Sequence, residues 1–590
     1  MDMGTFKKRL FALLVMPWLM AAEPASALHI ESLAPCESWP GGEQQTWCMR
    51  VSGMQGRPAR VVFNGSVLPT SAVSRQGATL RFSLAQGQKT SGPVWVSQGR
   101  RSSNAVWLTL RPSRVLSVSS EHQVRLSDRV VTALDLVSLI FQEGVDGLAQ
   151  ARRVARQYGV DIVGAIAPLN VYQVRLPVSD LAARDALVAA LKTDPVIVGV
   201  VVEDDNPEVP RDPDRVAEPA DEDGWVANRF FPAVELYRQY VASASSNPNP
   251  GTVVIGVVEK AVNFDTRDFA SYLRPCSTEH TCLYARHSVQ ARHGTFITGL
   301  LAAGRKPVDH LGFLSQLGAA GGRFKIIVDR GSLAGVIGRV AASVNMVEDG
   351  AHVLNWSWGI HRMGTTNLRG ERVETNVRSD LAFNGYEQLL KRFFRWLERS
   401  HPNVVVVNSS GNSFSTTDEH LPASLQSPQL LVVGAHQRSR QGANIREPHF
   451  VTMRKSSNIG QRVDITAAAC PQRTSSRSRT EGRGHCGTSY AAALVTGTVA
   501  AMLAVDPALE PGQIRALLRR SALPLAARDE EQRQGIGLTS ALTPAEHALA
   551  ADSEAEVYAR LNMQGALALV IKNRDGAPVV ESHGAKPSVL

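Results

Sequence analysis

Val253-Val254-Ile255-Gly256-Val257-Val258-Glu259 is an unbroken run of apolar and small residues closed by a carboxylate. With no polar residue at alternate positions, it suits a strand covered on both faces. Residues 353–355, 404–407 and 430–433 repeat that character. Helical spacing lies between them, over residues 333–346 and 386–398. Alternating strand and helix implies an α/β region with a mostly parallel sheet and helices on both faces. In such sheets, sites form beyond the carboxyl ends of strands. Glu259 and Asn412 both fall just past such ends.

Working outward, the 590 residues are too many for one core. The net charge of +9 comes from Lys and Arg spread along the chain. No dense basic run with interleaved aromatics occurs, which argues against a nucleic-acid partner. Lys7, Lys8 and Arg9 precede an apolar stretch over residues 10–22, and Ala25-Ser26-Ala27 offers a small-residue cleavage site. Residues 1–27 therefore read as a signal peptide, with a mature protein that is periplasmic or extracellular and has no stable membrane span. The six cysteines fall into three locally close pairs: Cys36 with Cys48, Cys276 with Cys282, and Cys470 with Cys486. Export permits disulfides, although six cysteines allow 15 connectivities. Closing the loop between the last pair would be worth roughly 3 kcal/mol in the chain-entropy model.

Residues 28–112 hold short alternating strands broken by turn residues such as Asn64-Gly65, the pattern of a small β-sandwich. Residues 113–210 read as strand 130–141, helix 147–158, strands 161–166 and 171–176, helix 179–192 with Ser179 as N-cap, and strand 196–202. That order is the split β-α-β-β-α-β, ferredoxin-like arrangement. Residues 211–224 are an acidic, Pro-rich linker. The α/β region spans residues 225–550. Residues 551–590 form a tail that either trails or adds a strand at residues 567–572.

The α/β region carries the parts of an acyl-transfer site. A serine hydroxyl needs a base to take its proton, and histidine titrates near neutrality. A carboxylate can orient the imidazole, and an amide can donate to the developing oxyanion. His293-Gly294-Thr295, Ser410-Gly411-Asn412 and Gly487-Thr488-Ser489 supply base, amide and hydroxyl, and Glu259 supplies the acid. Ser489 stands ahead of a small-residue helix over residues 491–503, whose N-terminus adds positive potential.

These motifs make the region resemble the subtilisin (subtilase) family of serine proteases. His293-Gly294-Thr295-Phe296-Ile297-Thr298-Gly299-Leu300 matches its histidine motif, and Asn355-Trp356-Ser357-Trp358-Gly359 its substrate-binding strand. Asn408-Ser409-Ser410-Gly411-Asn412 matches the oxyanion motif, and residues 487–497 the serine motif. Pro422-Ala423-Ser424, Val432-Val433-Gly434-Ala435 and Ser457-Asn458-Ile459-Gly460 extend the likeness over some 300 residues. The resemblance implies an exported endopeptidase with His293 as base, Ser489 as nucleophile, Asn412 as oxyanion donor and Glu259 as acid. Ser357, Trp358, Gly359, Ser409, Ser410 and Gly411 would bind peptide or protein substrates. Residues 113–210 resemble the family's propeptide, an intramolecular inhibitor. Residues 28–112 resemble the immunoglobulin-like IPT/TIG domains, through Ile30-Glu31-Ser32-Leu33-Ala34-Pro35, Val62-Phe63-Asn64-Gly65 and Gly92-Pro93-Val94-Trp95-Val96. The reading calls for no cofactor and no metal, since no calcium loop is recognisable.

The sequence departs from the family's pattern in three places. Glu259-Lys260-Ala261 stands where the family has Asp-Thr-Gly or Asp-Ser-Gly, Ala493 where it has Pro, and Trp358 is bulky enough to narrow the cleft. Glu carries one methylene more than Asp, and a displacement of about 1 Å can cost on the order of 100-fold in rate. A retuned protease and a non-catalytic peptide-binding pseudoprotease are therefore both open. A docking role for residues 28–112 is a third possibility. His280, His287 and His485 read as surface or packing residues.

Overall fold

The computed structural model describes residues 27–36, 46–125 (except 86), 131–205, 224–243, 251–273 (except 260 and 265), 276, 281–286, 292–304, 312–318, 323–329, 335–373, 380–439, 444–470, 486–526 and 557–575. Residues 1–26 of the signal peptide, His280, His287, His485 and the linker before Gly224 lie outside them.

A ten-stranded sheet forms the centre. Its parallel part runs in the order Cys282–Ala285, Phe324–Val328, Val253–Val257, Val353–Trp356, Val405–Ser409, Leu430–Arg438 and Ile465–Ala468. Val451–Met453, Leu523–Ala526 and Val557–Arg560 extend one end with mixed pairings. The continuous apolar run has its cause in the two layers that cover it. Val253, Ile255 and Val257 share one core with helices that include Arg292–Ala302, Thr488–Val505 and Met563–Asp575. Val254 and Val258 pack against Gly335–Glu348 and Asp380–Ser400 on the other face. Successive side chains point to opposite faces, so both sets must be apolar.

Helix Thr488–Val505 is buried at every position. Among the described residues it is the one helix long and apolar enough to cross a membrane, yet it lies wholly inside the protein. It begins three residues earlier than the sequence suggests, so Ser489 belongs to its first turn. Ala493 is fully buried within it. The tail also differs from expectation. Residues 567–572 are not a strand but part of helix Met563–Asp575, and Val557–Arg560 joins the main sheet. Met563, Ala566, Leu567 and Val570 are buried against the central core. The apolar spacing is therefore that of a helix face, and the α/β unit continues past residue 550.

Residues 131–205 have the expected ferredoxin-like order, with Ile197–Asp205, Val131–Phe141, Val171–Arg175 and Asp161–Ile166 side by side and antiparallel. Gln123–Arg125 adds a further strand. The second helix, Leu181–Lys192, is capped by Asp180, whose carboxylate accepts from Ala183 N–H at 2.8 Å; Ser179 lies one residue too early. Strand Ile197–Asp205 lies across Gly335–Glu348 and Asp380–Ser400. There the Glu203 carboxylate accepts from the backbone N–H groups of Val336 and Ile337 and from the Tyr386 hydroxyl. Arg392, Arg395 and Arg399 gather on Glu143.

The first strands make two small sheets over a core of Trp47, Met49, Phe63, Phe82, Val94 and Val96. Asn64 and Gly65, at φ 48° and 82°, close the two-residue turn between Phe63 and Ser66. This unit is docked at the end of helix Gly335–Glu348. Trp107 Nε1 and Arg111 Nε both donate to Asp349, at 2.9 and 2.8 Å, and Asn345 exchanges two hydrogen bonds with the Ser113 backbone. The three disulfides are Cys36–Cys48, Cys276–Cys282 and Cys470–Cys486.

Two outcomes are expected. Leu567→Ala removes a fully buried side chain and should cost about 2–5 kcal/mol, read by urea denaturation. Burial pushes the Glu203 carboxyl from 4.5 up to about 7. The docked state therefore holds a proton that the undocked state releases. Docking is strongest below about pH 4.5, weakens as pH rises to about 7, and is flat above it. Amide exchange over residues 197–205, corrected for its intrinsic pH dependence, should show that slope, and Glu203→Gln should abolish it.

Candidate active site

Strand Val253–Val257 delivers Glu259 just beyond its carboxyl end, with Glu259 N–H donating to Asp329 C=O and Asp329 N–H to Val257 C=O. Helix Arg292–Ala302 presents His293 in its first turn. The two meet: His293 Nδ1 lies 2.9 Å from Glu259 Oε1, with both side chains largely buried. Each residue of the His-Gly-Thr motif has a physical task there. A Cβ on Gly294 would come within 2.5 Å of Ala261 C=O and 3.2 Å of Glu259 Cβ, so only glycine lets the helix approach the acid's loop. Thr295 Oγ1 accepts from Asn263 N–H at 2.9 Å and ties down the same loop.

The His293 ring packs on Tyr490, with centroids 5.7 Å apart. Tyr490 directly follows Ser489, so the histidine stands beside the N-terminus of helix Thr488–Val505. Gly487 takes an extended conformation before the helix, and its N–H donates to Ala469 C=O. The Cys470–Cys486 bond closes the segment immediately before it. Ser357 Oγ donates to Ser489 C=O at 2.9 Å, and Asn355 Oδ1 accepts from Thr496 Oγ1 at 3.0 Å. The end of strand Val353–Trp356 thereby holds the helix in position.

Asn412 Oδ1 accepts from Thr488 N–H at 2.9 Å and from Thr488 Oγ1 at 3.0 Å. A backbone N–H can only donate, which fixes the amide orientation and turns Nδ2 away from Thr488. Thr488 Oγ1 also accepts from Gly411 N–H. Ser409 and Ser410 are buried at the end of strand Val405–Ser409, and Ser410 N–H donates to Val433 C=O. Asn408 Nδ2 donates to the carbonyls of Trp356 and Trp358, joining the two segments.

The structure thus pairs Glu259 with His293 and joins Asn412 and Ser357 to the segment carrying Ser489. It does not put Trp358 in the cleft. That ring is buried, with centroids 5.0 Å from Trp356 and the Arg339 guanidinium 4.8 Å above it. Its ring belongs to the same core as Trp356, Phe393 and Phe394.

Residues beyond the sequence-based set also shape the site. Asn458 Oδ1 accepts from Ser413 and Ser415 N–H, its own N–H donates to Gly411 C=O, and its C=O accepts from Ser410 Oγ. Ser457-Asn458-Ile459-Gly460 was visible as a motif, but nothing local in it indicates these partners. The buried pair His361 and His420, with ring centroids 4.6 Å apart, carried no sequence signal.

Residues 251–537 match the model of the Subtilase family. No curated protein matches the sequence. Fervidolysin from Fervidobacterium pennivorans, described as a keratinolytic enzyme related to subtilisin, aligns at 16% identity and TM-score 0.45. That alignment covers 78% of this chain, which spans 65% of the length of fervidolysin. The epidermin leader peptide processing serine protease of Staphylococcus aureus aligns at 15% identity and TM-score 0.42, over 73% of this chain and 97% of that one. A cold-adapted subtilisin-like serine proteinase aligns at 17% identity and TM-score 0.31, over 54% of this chain and 91% of that one.

Gly411 has φ 103°, and a Cβ there would lie 2.3 Å from Asn458 Nδ2, a side chain pinned by its own hydrogen bonds. Gly411→Ala should therefore destabilise the protein by about 1–3 kcal/mol in chemical denaturation, and by less in an Asn458→Ala background.

Proposed function

We propose that the subtilase domain makes this chain an exported serine endopeptidase with Glu in the acid position. The observation that carries the reading is the 2.9 Å pair between Glu259 and His293, packed on the residue after Ser489. Glu259 holds Nδ1–H, which leaves Nε2 as the basic nitrogen. Ser489 Oγ attacks the peptide carbonyl as His293 takes its proton. Asn412 Nδ2, turned away from Thr488, donates to the oxyanion. His293 then returns the proton to the leaving amine, and water hydrolyses the acyl-enzyme. The substrate pairs as an added strand along Ser357, Trp358 and Gly359, by backbone hydrogen bonds. Burial of the Trp358 side chain is compatible with that role. Ser409, Ser410 and Gly411 line the opposite side.

Residues 113–210 act in this reading as an inhibitory propeptide, supported by the docking of strand Ile197–Asp205 on helices Gly335–Glu348 and Asp380–Ser400. Export is supported by the apolar leader and the three disulfides. The first residues, 28–112, are proposed as an IPT/TIG-like module.

A pseudoprotease is the second reading, motivated by the Glu substitution. The observed acid–histidine pairing favours the working enzyme, because the longer side chain still reaches Nδ1. In a processed sample, a fluorophosphonate probe should label Ser489, and Ser489→Ala should abolish labelling. Glu259→Gln should lower kcat on the order of 10⁴-fold. Glu259→Asp should change it little, whereas a large gain from no detectable activity would favour the pseudoprotease.

A further inference from the structure

A peptide carbonyl placed between Ser489 and Asn412 commits the side chain of its own residue to one direction. Ser357 holds the helix start on one side, and Thr488 bonds to Gly411 and Asn412 on the other. In that placement the side chain would run between the segment after strand Val353–Trp356 and the segment after strand Val405–Ser409, which flank Ser489 and Asn412. Both segments are glycine at the gap, Gly359 and Gly411. Two bare backbones facing each other would ordinarily leave a flat, deep slot.

Here the slot has a floor. A Cβ on Gly359 would fall 2.0 Å from Cε1 and 2.3 Å from Nε2 of His420, and one on Gly411 would fall 3.0 Å from the same Nε2. One edge of the imidazole therefore lies against both glycines. The ring is 3% exposed and is held by packing. His420 pairs with His361 across a two-stranded ladder, and their centroids are 4.6 Å apart. His361 Nε2 in turn lies 3.4 Å from Asn458 Nδ2, the side chain that secures the Gly411 loop. Swinging His420 out would break that stack.

Charge does not control the slot. Burial holds both imidazoles below their usual range, His361 to about 4, and His361 lowers His420 further. The ring edge is neutral at neutral pH. The charges flanking the same ladder, Arg362 and Glu419, pair with each other at 3.1 Å.

We infer that His420 sets substrate choice by shortening this slot, so that the residue on the amino side of the scissile bond must be small: Gly, Ala or Ser. This deepens the endopeptidase reading and rests on it. A slot blocked by a ring rejects Phe or Leu by steric overlap, and such differences are worth on the order of 10–100-fold in kcat/KM.

The test uses processed protein and fluorogenic peptides that differ only at that residue: Ala, Phe or Glu. Ala should exceed both Phe and Glu by at least about tenfold in kcat/KM. His420→Gly should raise the Phe/Ala ratio by on the order of 100-fold, and a merely structural role would lower both substrates together. Should His420→Gly fail to fold, the wild-type cleavage sites in a denatured protein mixture, read by mass spectrometry, decide the matter. Cleavage mainly after large or acidic residues overturns the inference. Ser489 labelled by fluorophosphonate together with a Phe preference removes this inference alone. Absence of both labelling and cleavage removes the endopeptidase reading and this inference with it.

Discussion

Helix Thr488–Val505 has no face that meets water, and the arrangement around the site depends on that. A helix buried all round can lie under a sheet only if its side chains are small or apolar where it touches the strands. Ala491, Ala492, Ala493, Ala500 and Ala501 meet that need. In return, its first turn emerges at the carboxyl ends of the parallel strands, where Ser357 and Asn412 hold it by hydrogen bonds. Ser489 is placed by packing that runs the whole length of the helix.

The same logic explains how Glu259 keeps contact with His293. The acid lies on the loop after a central strand, and the histidine lies on a helix that can close on that loop because Gly294 has no side chain. Thr295 then bonds the loop at Asn263. With both partners held, the extra methylene of Glu is taken up without losing the 2.9 Å pair. The placing of Asn412 is similarly indirect. Asn412 is oriented by Thr488, and the loop before it by Asn458. Residues without any chemistry of their own thus set the positions of those that have it.

Much of this was legible in the sequence because it is periodic or local. The apolar run 253–258 implies a doubly covered strand, and the order of helices and strands in residues 131–205 follows from spacing alone. Ser179 and the tail show the limits. Asp180 wins the cap because its carboxylate reaches Ala183 N–H, a one-residue choice that composition leaves open. Residues 567–572 are apolar enough for a strand or a helix, and only the core they join selects the helix.

By itself, the sequence determined which residue types were available and in what order: a carboxylate after a buried strand, a histidine before a glycine, a serine before an alanine-rich helix. Those patterns are set by short-range periodicity and turn chemistry. Tertiary structure alone decided that Trp358 turns inward, that Asn458 anchors the loop at Gly411, and that His420 lies against Gly359 and Gly411. Most of these are contacts between segments tens of residues apart. Their distances depend on how layers pack, and no spacing within one segment records them.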